Sequence, residues 1–465
     1  MTIVLLNSNR LELENKYENL IGVNQLLNRQ LVSFQANKRL PIYNWFSFKE
    51  GFSSGLVKIF IKESNIKAGK ILDPFAGACT TLLSAKESGF DSVGIEIMPI
   101  GEFILNSKLL LEQYDVNTLA NNINDLKKIN FEKYPIDSER SFKHVRITEK
   151  AFPNLTERKL NGFLNYLSGL ENAKLKQILN FACFSILEKI SYTRKDGQYL
   201  RWDYRAEKGK TKFDKGKIFE FEEALLSQLS NILNDLRTMS IFSTKSKNNP
   251  KIKLCSGSCL EILPKMDAGS FGLVITSPPY CNRYDYTRTY ALELVYLGLG
   301  EADIRNLRQS LLSATVENKD KIEYLKKVYK DTSRDSCFMK AEITFNKNKA
   351  LQEVLKILET HKEQKKLNNP GIVRMVKNYF YEHAFVIMEL ARILKKGGKI
   401  YYVNDNVRYA GEVVPVDLIL SEFAQEFGLR VNKIYALKTG KGNSSQQMSE
   451  HGRQEVRKCV YVWEK

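Results

Sequence analysis

Two short stretches carry residue types that could do chemistry together. The first is Ser277-Pro278-Pro279-Tyr280, which follows the apolar run Leu273-Val274-Ile275. Consecutive prolines fix φ and remove two backbone donors, so the carbonyl oxygens there have no competing N–H groups and can point outward together. Ser277 adds a hydroxyl and Tyr280 a flat π-face. Two acceptors beside a stacking platform suit a planar ring with an exocyclic –NH2 group: the acceptors take the amino protons while the aromatic face holds the ring. Taken alone, the same four residues also read as a strand terminator with a buried tyrosine.

The second stretch is Asp73-Pro74-Phe75-Ala76-Gly77-Ala78-Cys79-Thr80-Thr81, where a first strand meets a first helix. Ligands of open α/β sheets bind at such strand ends. Gly77 lets the backbone approach a ligand closely, and Thr80 and Thr81 can cap the helix that follows. Neither G-x-x-x-x-G-K-[ST] nor G-x-G-x-x-G is present, which argues against a phosphate loop. An acid at the strand end, Asp73, suits a cationic or amine-bearing ligand better than a pyrophosphate. Glu96, in Gly94-Ile95-Glu96-Ile97 at the next strand end, can accept hydrogen bonds from both ribose hydroxyls. The two acids point to a positively charged ligand containing ribose, and S-adenosylmethionine meets both demands. The plainer alternative is a tight strand–helix turn with two solvated acids.

These residues need a parallel sheet to hold them. From Lys70 the text runs strand, glycine turn, helix (TTLLSAKESGF), strand (DSVGIEI), the alternation of a parallel α/β fold. Strands resume at KIKLCSGS and FGLVITSPPY. ELARILKKGGKIYYVND reads as helix, Gly-Gly turn and strand, and the end of the chain as a terminal β-hairpin. Residues 1–40 read as a helical, polar lead-in. Residues 111–249 read as a mostly helical insert, and 300–375 as a second helical insertion. The expected architecture is thus one doubly wound, Rossmann-like α/β core built from 41–110 and 250–465. With 465 residues and 43% apolar content, the chain can bury a substantial core.

The net charge of +18 attracts polyanions: nucleic acid first, an anionic membrane second. Seven scattered cysteines without a C-x-x-C pair, and only four histidines, argue against zinc, any other metal site and a disulfide framework. No signal peptide is evident, and no apolar run reaches the ~20 residues that span a bilayer. A reduced cytoplasm is the simplest setting.

With these residues in place, the chain resembles the amino-methyltransferases of DNA, which methylate an exocyclic base nitrogen. Asp73 to Thr81 is similar to their cofactor motif D-P-F-x-G-x-G-T-T except at Cys79, where glycine is usual. Ser277 to Tyr280 matches their catalytic motif [DNS]-P-P-[YFW], whose serine form is typical of enzymes acting on cytosine N4. Ser258 stands where an acid often contacts the adenine amino group, with Cys259 beside it. Upstream, Tyr43-Asn44-Trp45-Phe46 and Phe52-Ser53-Ser54-Gly55-Leu56-Val57, with Tyr43, Trp45, Phe46 and Ser53 as the candidate contacts, resemble the family's extra segment that covers the methionine end of the cofactor. Leu394-Lys395-Lys396-Gly397-Gly398-Lys399 resembles the turn before a later strand. The resemblance covers about 40–110 and 250–465, and implies S-adenosylmethionine as cofactor and double-stranded DNA as partner. It also implies a restriction–modification setting, with a cognate restriction endonuclease. About 195 residues separate the two motifs, and in this order the insert is the natural home of target recognition.

On this reading the target base leaves the helix to reach the pocket. Ser277 Oγ and the Pro278 carbonyl accept from its amino group and favour an sp³-like nitrogen, and proton loss to water comes late. No covalent intermediate is required, and Cys281 reads as a packing residue. Arg194, Lys195, Gln198, Tyr199, Arg201 and Trp202, in the basic aromatic stretch 192–205, are candidate DNA contacts. So are Arg283 beyond the catalytic motif and Lys441, Asn443 and Ser444 in a glycine-bearing polar loop. The rival readings are adenine N6 methylation, RNA guanine-N2 methylation, and a non-catalytic DNA-binding subunit keeping the fold.

Overall fold

The computed structural model describes residues 8–196, 199–208, 211–242, 249–437, 451–452 and 455–465. Their strands are β1 (Ile21–Val23), β2 (Lys70–Asp73), β3 (Ser92–Glu96), β4 (Thr193–Asp196), β5 (Tyr199–Trp202), β6 (Ile252–Ser256), β7 (Phe271–Thr276), β8 (Leu394–Asp405), β9 (Val407–Tyr409), β10 (Glu412–Val414), β11 (Arg430–Ala436) and β12 (Lys458–Glu464). Eight of them form one sheet in the order β1-β11-β12-β8-β7-β2-β3-β6. Neighbouring strands are parallel except β12, which runs antiparallel to both β11 and β8. The α/β class, the doubly wound core and the terminal antiparallel pair agree with the reading from sequence.

The central strands are unbroken apolar runs because both faces of the sheet are covered. Side chains alternate between the faces. Ile71, Leu273, Ile275, Tyr401, Val403, Val460 and Val462 pack against Leu56, Val57 and Phe60 of the helix Ser54–Ser64. Leu72, Val274, Ile400, Tyr402, Tyr461 and Trp463 face the other way. There they meet the helices Ile372–Ile393 and Val416–Glu426. The 22-residue helix Ile372–Ile393 is buried along almost its whole length. The helices Ile322–Asp331, Asp335–Lys347 and Lys349–Glu363 bring Leu325, Phe338, Phe345, Leu351 and Leu358 into that same core.

Between β3 and β6 lie the helices Val116–Leu126, Asn154–Ser168, Ala173–Ile190 and Phe221–Phe242. Leu160, Phe163, Phe181, Phe184, Leu225 and Leu229 close a core that continues into Trp45, Phe46, Ile100 and Tyr290. The segment is therefore packed onto the sheet unit. Its β4–β5 hairpin turns Arg194 and Arg201, directly opposite each other, to solvent. Thr193, Lys195 and Leu200 turn inward.

The lead-in differs from its helical reading. After one helix, Asn9–Tyr17, it contributes β1, which pairs with β11 at Ile21↔Ile434. A three-residue strand is too short to print a period-two pattern. Among the described residues no helix is long and apolar enough to cross a membrane.

One close approach sets the geometry beside the sheet's ligand edge. A Cβ on Gly101 would lie 2.5 Å from the Gly77 carbonyl oxygen and 2.6 Å from Glu96 Cγ. The helix Pro99–Leu109 thus packs directly on the loop after β2. Gly101→Ala is expected to cost about 1–3 kcal/mol by overpacking, measured by denaturant unfolding, and to displace Gly77 and Glu96 together.

Candidate active site

The carboxyl ends of β6, β3, β2 and β7, adjacent in that order, line one cavity. β6 leads into Gly257-Ser258-Cys259, and β3 ends at Glu96 with Ile97 and Met98 beyond it. β2 ends at Asp73 and passes through Pro74, Phe75, Ala76, Gly77 and Ala78 to Thr80, and β7 delivers Ser277 and Pro279.

Asp73 is 2% exposed. It accepts from Thr276 Oγ1 at 2.7 Å, Thr81 Oγ1 at 2.7 Å and the Phe75 N–H at 3.1 Å. Burial pushes its carboxyl up to about 6 against the pull of those donors. It therefore ties the loop after β2 to the end of β7. Thr81 serves that tie rather than a helix cap. The N-cap position falls on Cys79, held at φ 61, and its thiol faces the Gly77 and Gly101 carbonyls at 3.8 Å each.

Glu96 accepts the Gly77 N–H on Oε2 at 2.7 Å and the Met98 N–H on Oε1 at 2.8 Å. Burial raises it to about 7. Each oxygen keeps a further lone pair for a ligand on the cavity side. Gly77, at φ 51, takes the left-handed region that favours glycine.

In the opening motif, Ser277 and Pro279 line the cavity, Pro278 is buried behind them, and Ser277 Oγ donates to the Tyr280 hydroxyl at 3.3 Å. Burial pushes the Tyr280 phenol upward, which keeps it protonated. Cys281 is fully buried, and its carbonyl accepts from the Tyr409 hydroxyl.

The upstream segment reaches the cavity through different residues from those expected. Tyr43 bonds Glu87 at 2.8 Å and Ser84 at 3.1 Å, and the Trp45 indole donates to Asp235 at 2.8 Å. Phe46 stacks on Phe184 at 5.0 Å, and Ser53 caps the next helix. All four are core or capping residues. The lining comes from Phe48, Glu50 and Gly51 together with Phe52 of the expected segment, joined by Tyr286 and by Ser310, Leu311 and Leu312. Glu50, its carboxyl raised by burial, accepts the hydroxyls of Tyr284 and Tyr290. The acid inside Phe48-Lys49-Glu50-Gly51-Phe52 was the available signal for this wall.

Of the candidate DNA contacts, Arg194 and Arg201 are exposed. Arg201 pairs with Asp196 at 2.9 Å and lies over the Phe213 ring. Trp202 is half-buried under the Lys208 ammonium. Tyr199 opens β5. Arg283 is half-buried at φ 68 and donates to Asn368 at 3.0 Å. Lys195 differs from its sequence reading: its ammonium is interior, paired with Glu293, and presents no charge to a phosphate. Gln198, Lys441, Asn443 and Ser444 lie outside the described residues.

A doubly wound sheet whose strand ends bring a buried acid, a half-buried acid, a glycine turn and Ser277 and Pro279 of a Ser-Pro-Pro-Tyr loop to one cavity is the plan of a methyl-transferring enzyme. The chain is 47% identical over 462 residues to the Type II methyltransferase M.AvaI of Nostoc sp., covering 97% of this chain and 92% of the relative. Its identity to the Type II methyltransferase M.BsoBI of Geobacillus stearothermophilus is 43% over 474 residues, covering 98% and 92%. No family model and no solved structure matches. The chain belongs to the Type II methyltransferase family.

Raised carboxyls have a consequence for stability. Between the ordinary carboxylate range near pH ~4 and about 7, the folded protein holds more protons on Asp73 and Glu96 than the unfolded chain does. Their contribution is thus fully present at the acid end, and is lost as pH rises through about 6 and about 7. Glu96→Gln is expected to flatten the fall in unfolding free energy across this window, measured by chemical denaturation. An unchanged slope would remove Glu96 from the account.

Proposed function

We propose that the protein transfers a methyl group from S-adenosylmethionine to the exocyclic N4 of cytosine at a short site in duplex DNA, within a restriction–modification system of the cytoplasm. The observation carrying this reading is the order of the strand ends. β6, β3, β2 and β7 are consecutive. Across them the cavity offers a flat apolar wall at Ile97 and Cys259 with Ser258, then the Glu96 carboxylate, then the Asp73–Gly77 turn, then Ser277 and Pro279. That sequence of surfaces suits an adenine, a ribose, a methionine portion and a target amine in line. The residues present fit the cofactor, since the free lone pairs of Glu96 match two ribose hydroxyls.

When bound, the cofactor supplies an electrophilic sulfonium methyl. The chain's own work is positioning. Ser277 Oγ and the Pro278 carbonyl accept the two amino protons, which localises the nitrogen lone pair otherwise delocalised into the ring. Tyr280 offers its face to the base. Ser277 and the carbonyls are poor bases, so the proton leaves to water after transfer. Serine at the head of the motif, in place of Asp or Asn, favours cytosine over adenine. Outside the pocket, Arg194 and Arg201 on the hairpin and Arg283 beside the catalytic loop suit phosphate or base-edge contacts. The insert 111–249 is the proposed target-recognition region, and the Type II name of the relatives supports a cognate endonuclease as partner.

Nucleoside mass spectrometry of plasmid incubated with the protein and S-adenosylmethionine should reveal N4-methylcytosine. N6-methyladenine would overturn the base assignment, and an unmodified plasmid would overturn the activity. Tyr280→Ala, which removes a stacking contact of about 1–3 kcal/mol, should slow turnover about 10- to 100-fold while leaving cofactor affinity intact.

A further inference from the structure

Behind Glu50, which lines the cavity, lies a charge that comes from the inserted segment. Lys195, on the inward face of β4, is 5% exposed, and Glu293, its partner on the helix Ala291–Tyr296, is 1% exposed. The ammonium lies 4.6 Å from the centroid of the Tyr290 ring and 5.0 Å from that of Phe46, and 3.8 Å from Glu188. Tyr290 donates to Glu50, as does Tyr284. Lys49 closes the circuit: its N–H donates to the Tyr290 hydroxyl at 3.2 Å, and its Nζ to the Lys195 carbonyl at 2.6 Å and Glu188 at 3.1 Å. Lys195 is within electrostatic reach of Glu50 and opposes the upward push of burial on it.

A buried lysine is expensive to keep unless it is paired and hydrogen-bonded. As stability alone, the Lys195–Glu293 pair gains little over two packed apolar residues. Its placement has a second effect. It joins the β4–β5 hairpin, whose outer face carries Arg194 and Arg201, to residues 281–293, which follow the Ser-Pro-Pro-Tyr motif, through Glu293 and the Tyr290 ring. Glu50 lines the cavity and holds that stretch by two phenols.

We propose that Lys195 is a positioning residue for methyl transfer: from the inserted segment it fixes Glu50 as a clamp on Tyr284 and Tyr290, so that hairpin and catalytic loop form one body around the target base. The inference rests on the proposed transfer to a base at Ser277–Tyr280. It gives the interior lysine a task that phosphate contact cannot.

The test separates this from a merely structural pair. Lys195→Met leaves Glu293 buried and unpaired and is expected to lower stability strongly. Lys195→Met with Glu293→Leu removes both charges and should restore the unfolding temperature. In that double variant, single-turnover methylation of duplex DNA should remain at least tenfold slower than wild type, with KM for DNA and for S-adenosylmethionine unchanged. Amides 282–290 should exchange hydrogen at least tenfold faster. Glu50→Gln should share both effects. Recovery of turnover and of amide protection together with stability overturns the proposal. If wild type methylates nothing, the proposed function fails, while hydrogen exchange still decides whether the clamp exists.

Discussion

The cross-strand sharing of the Asp73 carboxylate is the constraint on which the rest of the site depends. A single buried acid accepts from a hydroxyl on β7, a hydroxyl on the helix Thr80–Glu87 and a backbone N–H of the loop after β2. Without water to compete, the loss of any one donor leaves part of a carboxylate unsatisfied, at a cost of about 1–3 kcal/mol. The loop that shapes the ligand pocket and the loop that carries Ser277 therefore have fixed relative positions before anything binds. Glu96 repeats the device one strand over, with backbone N–H groups as donors. The acids first read as ligand contacts are thus equally the ties that build the pocket, and Glu96, with one donor on each oxygen against three on Asp73, keeps the larger capacity for a ligand.

Around these ties the protein invests its apolar residues in making the insertions part of the body. The first insert shares its core with Trp45, Phe46 and Tyr290, and the second buries the outer side of the helix Ile372–Ile393. Neither hangs as a separate module. With the insert as the proposed reading surface, its attachment to the pocket helps fix which base can enter it.

Much of this was legible in the sequence, and the pattern of success is physical. The sheet, its doubly wound class and the residues at strand ends declare themselves locally: an apolar run, a glycine turn, an acid in register. Asp73, Gly77, Glu96, Ser258 and Ser277 needed only that to be placed at strand ends along one cavity. Failures came where a residue's role depends on a distant partner. Lys195 looks like a phosphate contact until Glu293, 98 positions later, neutralises it in the interior. Glu50 is one more acid in a charged chain until Tyr284 and Tyr290, 234 and 240 positions on, converge on it. Tyr43, Trp45 and Phe46 have side chains that serve a stacking platform and a core equally well, and the helices of the insert claimed them for the core. The wall they were expected to form lies a few residues further on, at Phe48 to Phe52.

The strand β1 has a consequence for how the chain is made. It pairs with β11 near the other terminus, and Arg457 grips Glu14 across 443 positions. On the ribosome, the first 23 residues emerge long before their partners exist, and loop-closure entropy must be met before those contacts form. The nascent sheet can assemble around β2, β3, β6 and β7 and mature its ligand edge, while the opposite edge stays open until β11 and β12 exist. Sealing of that edge therefore waits for β11, and the early strand β1 stays uncovered until its late partner has been made.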